Sequence, residues 1–268
     1  MNFKSIKDLS EDIRRYLIHK LPTDIGTVYG VPRSGMLPAS IIATLIGSNL
    51  GMLTGPSFAG ERKSKFIKKK GDKVLLVDDS VYTGSAISNA KQMLGMDCLT
   101  CTIYVSPQST SIIDYYCLEL PGPRMFEWNF TGIKSTESYM FDMDGVICKD
   151  PTAFDDDGPN YRNDIINLKP LYIPHVKIHS ICTNRIERWR PETEDWLTRH
   201  GVHYGELIMQ PFDTAVERRQ KSHPGEYKAY HYSKSNASLF VESHDWQAGT
   251  IANKSNKPVL SIESMKLF

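Results

Sequence analysis

An acidic pair that follows an apolar run is the strongest chemical signal in the sequence. Val74–Val77 leads to Asp78 and Asp79, and a turn over Thr83–Ser85 opens a helical segment. Backbone N–H groups in such a turn, together with a helix N-terminus, bind anions without a formal positive charge. Carboxylates beside an anion pocket suit a ligand that also has hydroxyls or a magnesium ion, as a phosphorylated ribose does. The alternative is a strand that ends in solvated acids before an ordinary helix.

A second pair of acids, Asp142 and Asp144, follows the apolar residues 139–141. An aspartate at the end of a strand can attack phosphorus and form an acyl phosphate. An acid two residues later can protonate the leaving alcohol and then activate water. Gly145 allows the chain to turn sharply here. A magnesium ion would let the anionic nucleophile approach an anionic phosphate.

The elements that must position these acids alternate between strand and helix. Apolar spacing predicts helices and strands over residues 5–19, 25–29, 38–46, 74–77, 85–94 and 99–105 in the first half of the chain. In the second half it predicts strands over 139–141, 176–182 and 238–241, and a helix over 191–200. This alternation is typical of parallel sheets that bind ligands at their carboxyl edge. The small, polar run 131–138 is predicted to join two α/β domains, 1–133 and 134–268.

Composition limits the function classes. The 268 residues are 40% hydrophobic and 24% charged, with a formal net charge of +1, as in an ordinary soluble globular protein. So small a net charge argues against a general attraction to nucleic acid or to an anionic membrane. The chain has no stretch of about 20 apolar residues, the length needed to span a bilayer, and no signal-peptide run at its start.

Five cysteines, an odd number, favour a reducing cytoplasm. Cys98 and Cys101 form a CxxC, but no second ligand pair follows at zinc-finger spacing. We therefore expect a buried strand there rather than a metal or redox site. Asp155, Asp156 and Asp157 lack the alternation of a calcium loop and are expected to be solvated.

Residues 74–86 resemble the signature of type I phosphoribosyltransferases, which bind 5-phosphoribosyl diphosphate (PRPP). The resemblance implies that Asp78 and Asp79 hold the ribose 2′- and 3′-hydroxyls. It implies a 5-phosphate site made of Ser80, Val81, Tyr82, Thr83, Gly84 and Ser85. The loop Gly30–Met36 lies where the family binds pyrophosphate. The resemblance therefore implies that the pyrophosphate of PRPP contacts Arg33, Ser34 and Gly35. Residues 61–70 resemble the loop that closes over PRPP, although a basic surface loop explains them equally well.

Residues 139–146 resemble the first motif of the haloacid dehalogenase superfamily. This resemblance implies a phosphatase with Asp142 as nucleophile, Asp144 as acid and base, and Thr183 as a hydrogen-bond donor to the phosphoryl group. It implies a charge-balancing lysine at Lys228, with Lys221 and Lys234 as competitors. Magnesium would be held by Asp142, Asp144, Glu242 and Asp245, and which of the last two contacts it is left open. The short insert over 148–174 predicts a minimal cap and an open site.

Together the two resemblances predict an α/β chain of two Rossmann-like domains, a type I phosphoribosyltransferase fold followed by a haloacid dehalogenase-like fold. The expected activity is transfer of 5-phosphoribosyl from PRPP to an acceptor, followed by removal of the 5-phosphate. This order resembles the dual-domain ribofuranosyltransferases of bacterial polysaccharide synthesis, which implies a glycan or another small acceptor. Whether the chain forms a homo-oligomer is left open.

Two other functions are compatible with the same motifs. The first is a nucleobase phosphoribosyltransferase joined to a nucleotidase, in which Phe126 or Trp128 stacks on the base. These aromatics could instead pack at the domain joint. The second is a PRPP-sensing regulator without catalysis, against which the complete set of phosphatase acids argues.

Overall fold

The computed structural model describes residues 1–54, 58–62, 71–153 and 157–268. Most of the predicted closing loop (63–70), as well as Asp155 and Asp156, lies outside these residues. The chain divides into two compact units, Met1–Trp128 and Asn129–Phe268, and the predicted joint after residue 133 lies slightly beyond that division. Over the described ranges, no helix is long and apolar enough to cross a membrane.

A mostly parallel sheet forms the centre of the first unit. The described strands of this unit are β1 (Asn2–Lys4), β2 (Ile25–Gly30), β3 (Asn49–Thr54), β4 (Phe58–Arg62), β5 (Lys73–Val81), β6 (Leu99–Val105), β7 (Tyr115–Glu119) and β8 (Arg124–Phe126). The central sheet has the order β4-β3-β2-β5-β6-β7. Its β3–β4 pair is antiparallel, and the other neighbouring strands are parallel. Strand β1 pairs separately with β8, in parallel.

Helices cover both faces of this sheet. They are α1 (Ile6–Asp12), α2 (Met36–Ile46) and α3 (Ser85–Leu94). Helix α1 begins at a capping box, because the Ser5 hydroxyl accepts the Asp8 N–H while the Asp8 carboxylate accepts the Ser5 N–H. A π turn (Ile13–Leu17) and a 3-10 turn (Ile18–Lys20) continue α1. The segment predicted as one helix over 5–19 therefore contains three successive types of helix. One core cluster joins α1 and α2 to the sheet, and another joins α3 to its opposite face.

The second unit repeats this plan with different strands. Its described strands are β9 (Tyr139–Phe141), β10 (Ile178–Ile186), β11 (Tyr204–Gln210), β12 (Leu239–Glu242), β13 (Val259–Ser261) and β14 (Lys266–Leu267). Its helices are α4 (Pro159–Asn167), α5 (Arg190–Arg199), α6 (Ala215–Lys221), α7 (Pro224–Lys234) and α8 (Asp245–Ser255). The sheet order is β11-β10-β9-β12-β13-β14, with β14 antiparallel to β13 and the other pairs parallel. The prediction of an α/β chain with parallel sheets is confirmed.

Two strands extend further than their apolar runs predict. Strand β5 continues through Asp78 and Asp79 to Val81, because β6 pairs with it as far as Val105. Strand β10 continues past Cys182 to Ile186, with a register irregularity in its pairing with β11. In both cases pairing with a neighbouring strand extends the element through polar residues. Asp78, Asp79 and Thr183 therefore lie within strands rather than on free loops.

We predict that Trp196→Ala destabilises the protein by about 3–5 kcal/mol, since it leaves a large cavity. Trp196 is fully buried, its indole N–H donates to the Leu168 carbonyl (2.8 Å), and its ring stacks on His200. Urea denaturation followed by circular dichroism would measure the change. Trp246→Ala is the matched control, because Trp246 is 61% exposed and its loss should cost little. Equal losses in the two variants would contradict this account of the core.

Candidate functional site

The first candidate site lies at the topological switch point of the first sheet. The chain runs from β2 outward to β3 and then returns to the other side of β2 as β5. Gly30, the last residue of β2, pairs with Val77, and the Val31 N–H donates to the Val77 carbonyl (2.8 Å). Ligands of open α/β sheets bind at such points, outside the carboxyl ends of the strands. The loop after β2 therefore lies beside Asp78.

That loop has a tight backbone. A Cβ atom added to Gly35 would lie 2.7 Å from the carbonyl oxygens of Val31 and Val77, so a larger residue would force the loop away from β5. Arg33 is exposed and Ser34 is half-buried beside it. The loop thus presents a guanidinium and a hydroxyl at the edge where anions would bind.

The two carboxylates near the end of β5 are both buried, and the Asp78 carboxylate accepts a backbone hydrogen bond from Asp79. Asp78 and Asp79 are each 6% exposed, and the Asp79 N–H donates to Asp78 Oδ1 (2.9 Å). Burial, reinforced by the charge of Asp79, raises the pKa of Asp78 to about 8. Burial also raises the pKa of Asp79. Because the two acids interact, their titration belongs to the pair.

The turn between β5 and α3 exposes hydroxyls at the start of a helix. Gly84 is the residue before α3 and has φ +81°, a left-handed conformation that favours glycine. Thr83 and Ser85 are exposed, with their hydroxyl oxygens 3.2 Å apart. Ser80 is half-buried and Val81 is buried, whereas the Tyr82 side chain is exposed and its carbonyl accepts the Ser109 hydroxyl. The structure thus brings the predicted turn, loop and acids to one edge of the sheet.

A stack of three aromatic rings reaches this edge, and sequence reasoning missed its contact with the acids. Trp128 stacks on Phe126 with 4.9 Å between ring centroids, and Phe126 stacks on Tyr104 at 5.4 Å. The Trp128 indole N–H donates to Asp79 Oδ2 (2.7 Å). Both candidate aromatics thus pack within the first unit, and Trp128 is a partner of Asp79. No local motif could reveal this contact, because 49 positions separate the two residues.

The second candidate site occupies the switch point of the second sheet. The chain leaves β9 for β10 and β11 on one side and returns as β12 on the other. Asp142 directly follows β9, and its N–H donates to the Val241 carbonyl of β12 (2.9 Å). Glu242 ends β12. The two acids therefore reach the same sheet edge from adjacent strands.

A fully buried lysine joins these two acids. Lys228, on α7, places Nζ 2.7 Å from Asp142 Oδ2 and 2.8 Å from Glu242 Oε2. Burial lowers the pKa of Lys228, but the two carboxylates outweigh this and raise it above its ordinary value, so the ammonium stays charged. The competing lysines Lys221 and Lys234 are exposed. Burial and the Glu242 charge raise the pKa of Asp142.

Arg185 holds the second aspartate of the motif. Its Nη2 lies 2.6 Å from Asp144 Oδ1 and its Nε 3.0 Å from Asp144 Oδ2, which is a bidentate pair. Nη1 donates to the Thr193 hydroxyl, so the buried guanidinium is anchored on α5. The Thr183 hydroxyl accepts the Arg185 N–H (3.2 Å) and is fully buried. Sequence reasoning missed Arg185, although it lies two residues after Thr183.

A cavity of about 310 Å³ opens at this edge. Its lining includes Asp142, Asp144, Asp150, Thr183, Asn184 and Gln247. Neither Glu242 nor Asp245 belongs to that lining, and the Asp245 carboxylate accepts hydrogen bonds from Ser261 and Ser264. The sequence left open whether Glu242 or Asp245 contacts the metal, and Glu242 is the one that shares the Lys228 ammonium with Asp142.

The Asp157 carboxylate accepts the Ala215 N–H at the start of α6 (2.7 Å).

The donor chemistry of the cavity fits a magnesium ion that keeps several waters. Over the described ranges, no three His, Cys, Asp or Glu side chains are grouped to hold a metal by themselves. Magnesium, however, is usually bound through one or two carboxylates, with water and substrate phosphate as its other ligands. Asp142 and Asp144 both line the cavity and could supply those carboxylates.

We predict that Asp78→Asn stabilises the protein at pH 9 more than at pH 5. The Asp78 carboxyl has a folded pKa of about 8 against an ordinary value of 3.8, so folding favours its protonated form. Stability from this group is therefore present below about pH 4 and is lost as pH rises towards 8. Thermal unfolding at both pH values would test this, with Asp97→Asn, an exposed acid, as control. A shift that is the same at both pH values would contradict the raised pKa.

No protein-family model and no curated sequence matches this chain. Similar solved structures include a purine phosphoribosyltransferase from Pyrococcus horikoshii (20% identity, 48% of this chain and 94% of that one, TM-score 0.31). Others are the Helicobacter pylori xanthine-guanine-hypoxanthine phosphoribosyltransferase (13%, 47% and 90%, 0.36) and a Trypanosoma brucei adenine phosphoribosyltransferase (18%, 42% and 63%, 0.29). Likenesses this weak establish neither a family nor an activity for this chain.

Proposed function

We propose that the chain is a bifunctional enzyme that builds a ribofuranosyl group from PRPP. The first unit transfers 5-phosphoribosyl to an acceptor, and the second unit removes the 5-phosphate. The observation that carries the proposal is that each unit brings its motif acids to the switch point of its own parallel sheet. A chain with two such edges can perform two reactions in sequence.

For the transfer, the first edge supplies a group for each part of PRPP. The Asp78 and Asp79 carboxyl groups can exchange hydrogen bonds with the ribose 2′- and 3′-hydroxyls, because a carboxyl group keeps an acceptor oxygen whether or not it is protonated. The turn over Thr83–Ser85 offers hydroxyls and backbone N–H groups at the start of α3 for the 5-phosphate. The exposed Arg33 can pair with pyrophosphate oxygens. Because β2 and β5 are neighbours, the loop after β2 and the turn after β5 leave the same edge of the sheet.

The transfer breaks the bond between C1 and the pyrophosphate oxygen as an acceptor oxygen or nitrogen forms a bond to C1. Pyrophosphate leaves with the bonding electron pair, and the acceptor loses a proton. The protein lowers the barrier by holding the ribose and by neutralising the leaving group. A cavity of about 480 Å³, lined in part by Tyr82, Gln108 and Arg124, gives an acceptor room beside the turn.

For the second reaction, Asp142 attacks the phosphorus and displaces the sugar 5′-oxygen, which takes a proton from Asp144. Water then attacks the phosphorus of the acyl phosphate and gives a proton to Asp144. The bond to the Asp142 oxygen breaks, which restores the carboxylate and releases inorganic phosphate. Lys228 offsets the charge of Asp142 and Glu242, and Arg185 orients Asp144. A magnesium ion held by Asp142 and Asp144 would neutralise the phosphate during the attack.

The pairing of these two reactions favours a glycan acceptor over a nucleobase. Removing the 5-phosphate from a new nucleotide would discard what the first reaction had made. A glycan that needs a neutral ribofuranose would gain its final form from the same step. PRPP would then act as an activated ribofuranose donor.

We predict that the two activities separate by mutation. Asp142→Asn should lower phosphatase turnover at least about 1,000-fold, because it removes the nucleophile, and should leave pyrophosphate release from PRPP unchanged. The double change Asp78→Asn and Asp79→Asn should have the opposite effect. Phosphate release from ribose 5-phosphate and pyrophosphate release would be measured separately. The division into two sites fails if either folded variant loses both activities.

We further predict that Asp142→Asn protein traps a phosphorylated product on a glycan. The variant would be incubated with ribose-labelled PRPP, magnesium and a lysate of the source organism. Label should enter a polysaccharide or lipid-linked fraction, and wild-type protein added later should release its phosphate. Label in a small nucleotide would instead support the nucleobase function and contradict the glycan acceptor.

A further inference from the structure

We infer that Trp128 is a positioning residue for PRPP: its indole N–H fixes the Asp79 carboxylate in the orientation that receives a ribose hydroxyl. This inference rests on the proposed transfer function and adds to it a residue outside the signature. It also gives Trp128 a role that differs from stacking on a base.

The contact has the geometry of a strong, specific hydrogen bond. The indole nitrogen lies 2.7 Å from Asp79 Oδ2, and hydrogen bonds to an ionised acceptor are shorter and stronger than neutral ones. The Asp79 N–H meanwhile donates to Asp78 Oδ1. One contact thus fixes the Asp79 side chain and the other links its backbone to Asp78. Because indole is a donor only, it can bind the carboxylate but cannot replace it as an acceptor for ribose.

Trp128 is itself held by the aromatic stack. Its ring lies within 13° of parallel to Phe126, which lies within 17° of parallel to Tyr104. At the far end the Tyr104 hydroxyl donates to Asp12 (2.9 Å), which also pairs with Lys4 (2.7 Å). This arrangement leaves the indole little freedom to turn away from Asp79.

The pairing of β1 with β8 supports the same stack from the backbone. Lys4 is in register with Phe126, and the Glu127 N–H donates to the Lys4 carbonyl (3.0 Å). The segment that leads to Trp128 is therefore tied to the first strand of the chain. Backbone and side-chain contacts together set the position of the indole.

Charge explains why Asp79 needs this donor. Burial raises its pKa, and the Trp128 hydrogen bond lowers it. Among the described residues, Asp78 and Arg124 also interact with Asp79 electrostatically, and the Arg124 guanidinium lies over the Tyr82 ring. Without the indole donor, the Asp79 carboxyl would hold its proton to a higher pH, and a protonated carboxyl is a weaker acceptor than a carboxylate. Raising the pH would then restore the ionised form.

The test compares PRPP binding by wild type and two Trp→Phe variants, using calorimetric titration with magnesium PRPP. Trp128→Phe retains a ring for the stack but removes the donor. Trp246→Phe is the matched control, because Trp246 is exposed on α8 of the second unit. We expect Trp128→Phe to weaken binding about tenfold at pH 7, the usual effect of losing a hydrogen bond to a charged group. The loss should shrink towards pH 9, and in turnover it should raise KM for PRPP with little change in kcat.

Unchanged affinity in folded Trp128→Phe protein, or a loss that is equal at pH 7 and pH 9, would overturn the inference while the transfer function stands. If wild-type protein failed to bind PRPP, the proposed function and this inference would both be withdrawn. If Trp128→Phe failed to fold, benzothienylalanine at position 128 would decide by the same criteria, because it has the size and stacking of tryptophan without the N–H.

Discussion

A carboxylate buried at the end of a parallel strand requires a partner, because the charged form loses its hydration there. Both units of this chain place acids in this position. In each unit two neighbouring strands meet at a switch point, and acidic residues lie near the carboxyl end of at least one of them. How each acid is partnered determines much of the surrounding structure. It explains the aromatic stack in the first unit and the buried cations in the second.

The two units meet this requirement in different ways. In the first, Asp79 is paired with a neutral donor, the Trp128 indole, and the acid pair keeps a raised pKa. Such a pair can exchange hydrogen bonds with the hydroxyls of a ligand. In the second, Lys228 and Arg185 are charged partners that hold Asp142 and Asp144 by short contacts. A charged framework of this kind is suited to a reaction in which a phosphoryl group moves onto one of the carboxylates.

The sequence predicted the acids and the strands that hold them, because both signals are local. An apolar run followed by Asp78 and Asp79, or by Asp142, identifies a buried strand and what lies at its end. The parallel arrangement followed from the alternation of strands and helices. The ends of β5 and β10 were not predictable from the runs, since pairing with a neighbouring strand carries each of them through polar residues.

The partners of the acids could not be predicted in the same way. Trp128 is far from Asp79 in the chain, and a tryptophan has several uses that composition cannot separate. Lys228 was predicted from its place in the order of the haloacid dehalogenase motifs. The structure adds that Lys228 is buried, which distinguishes it from two exposed lysines. Asp150 lines the cavity in a segment without periodicity. Such contacts depend on tertiary packing, which a local pattern does not encode.

The charges of the second edge also bear on the phosphate it would bind. Three carboxylates, Asp142, Asp144 and Glu242, face two buried cations, Lys228 and Arg185, which leaves a net charge of −1 when all five groups are ionised. This excess agrees with the raised pKa of Asp142, to which the Glu242 charge contributes. A phosphate monoester would add further negative charge, so the side chains of this cluster alone cannot neutralise it. A divalent cation at Asp142 and Asp144 would offset both the excess and the ligand, which is why magnesium belongs to the chemistry proposed for this edge.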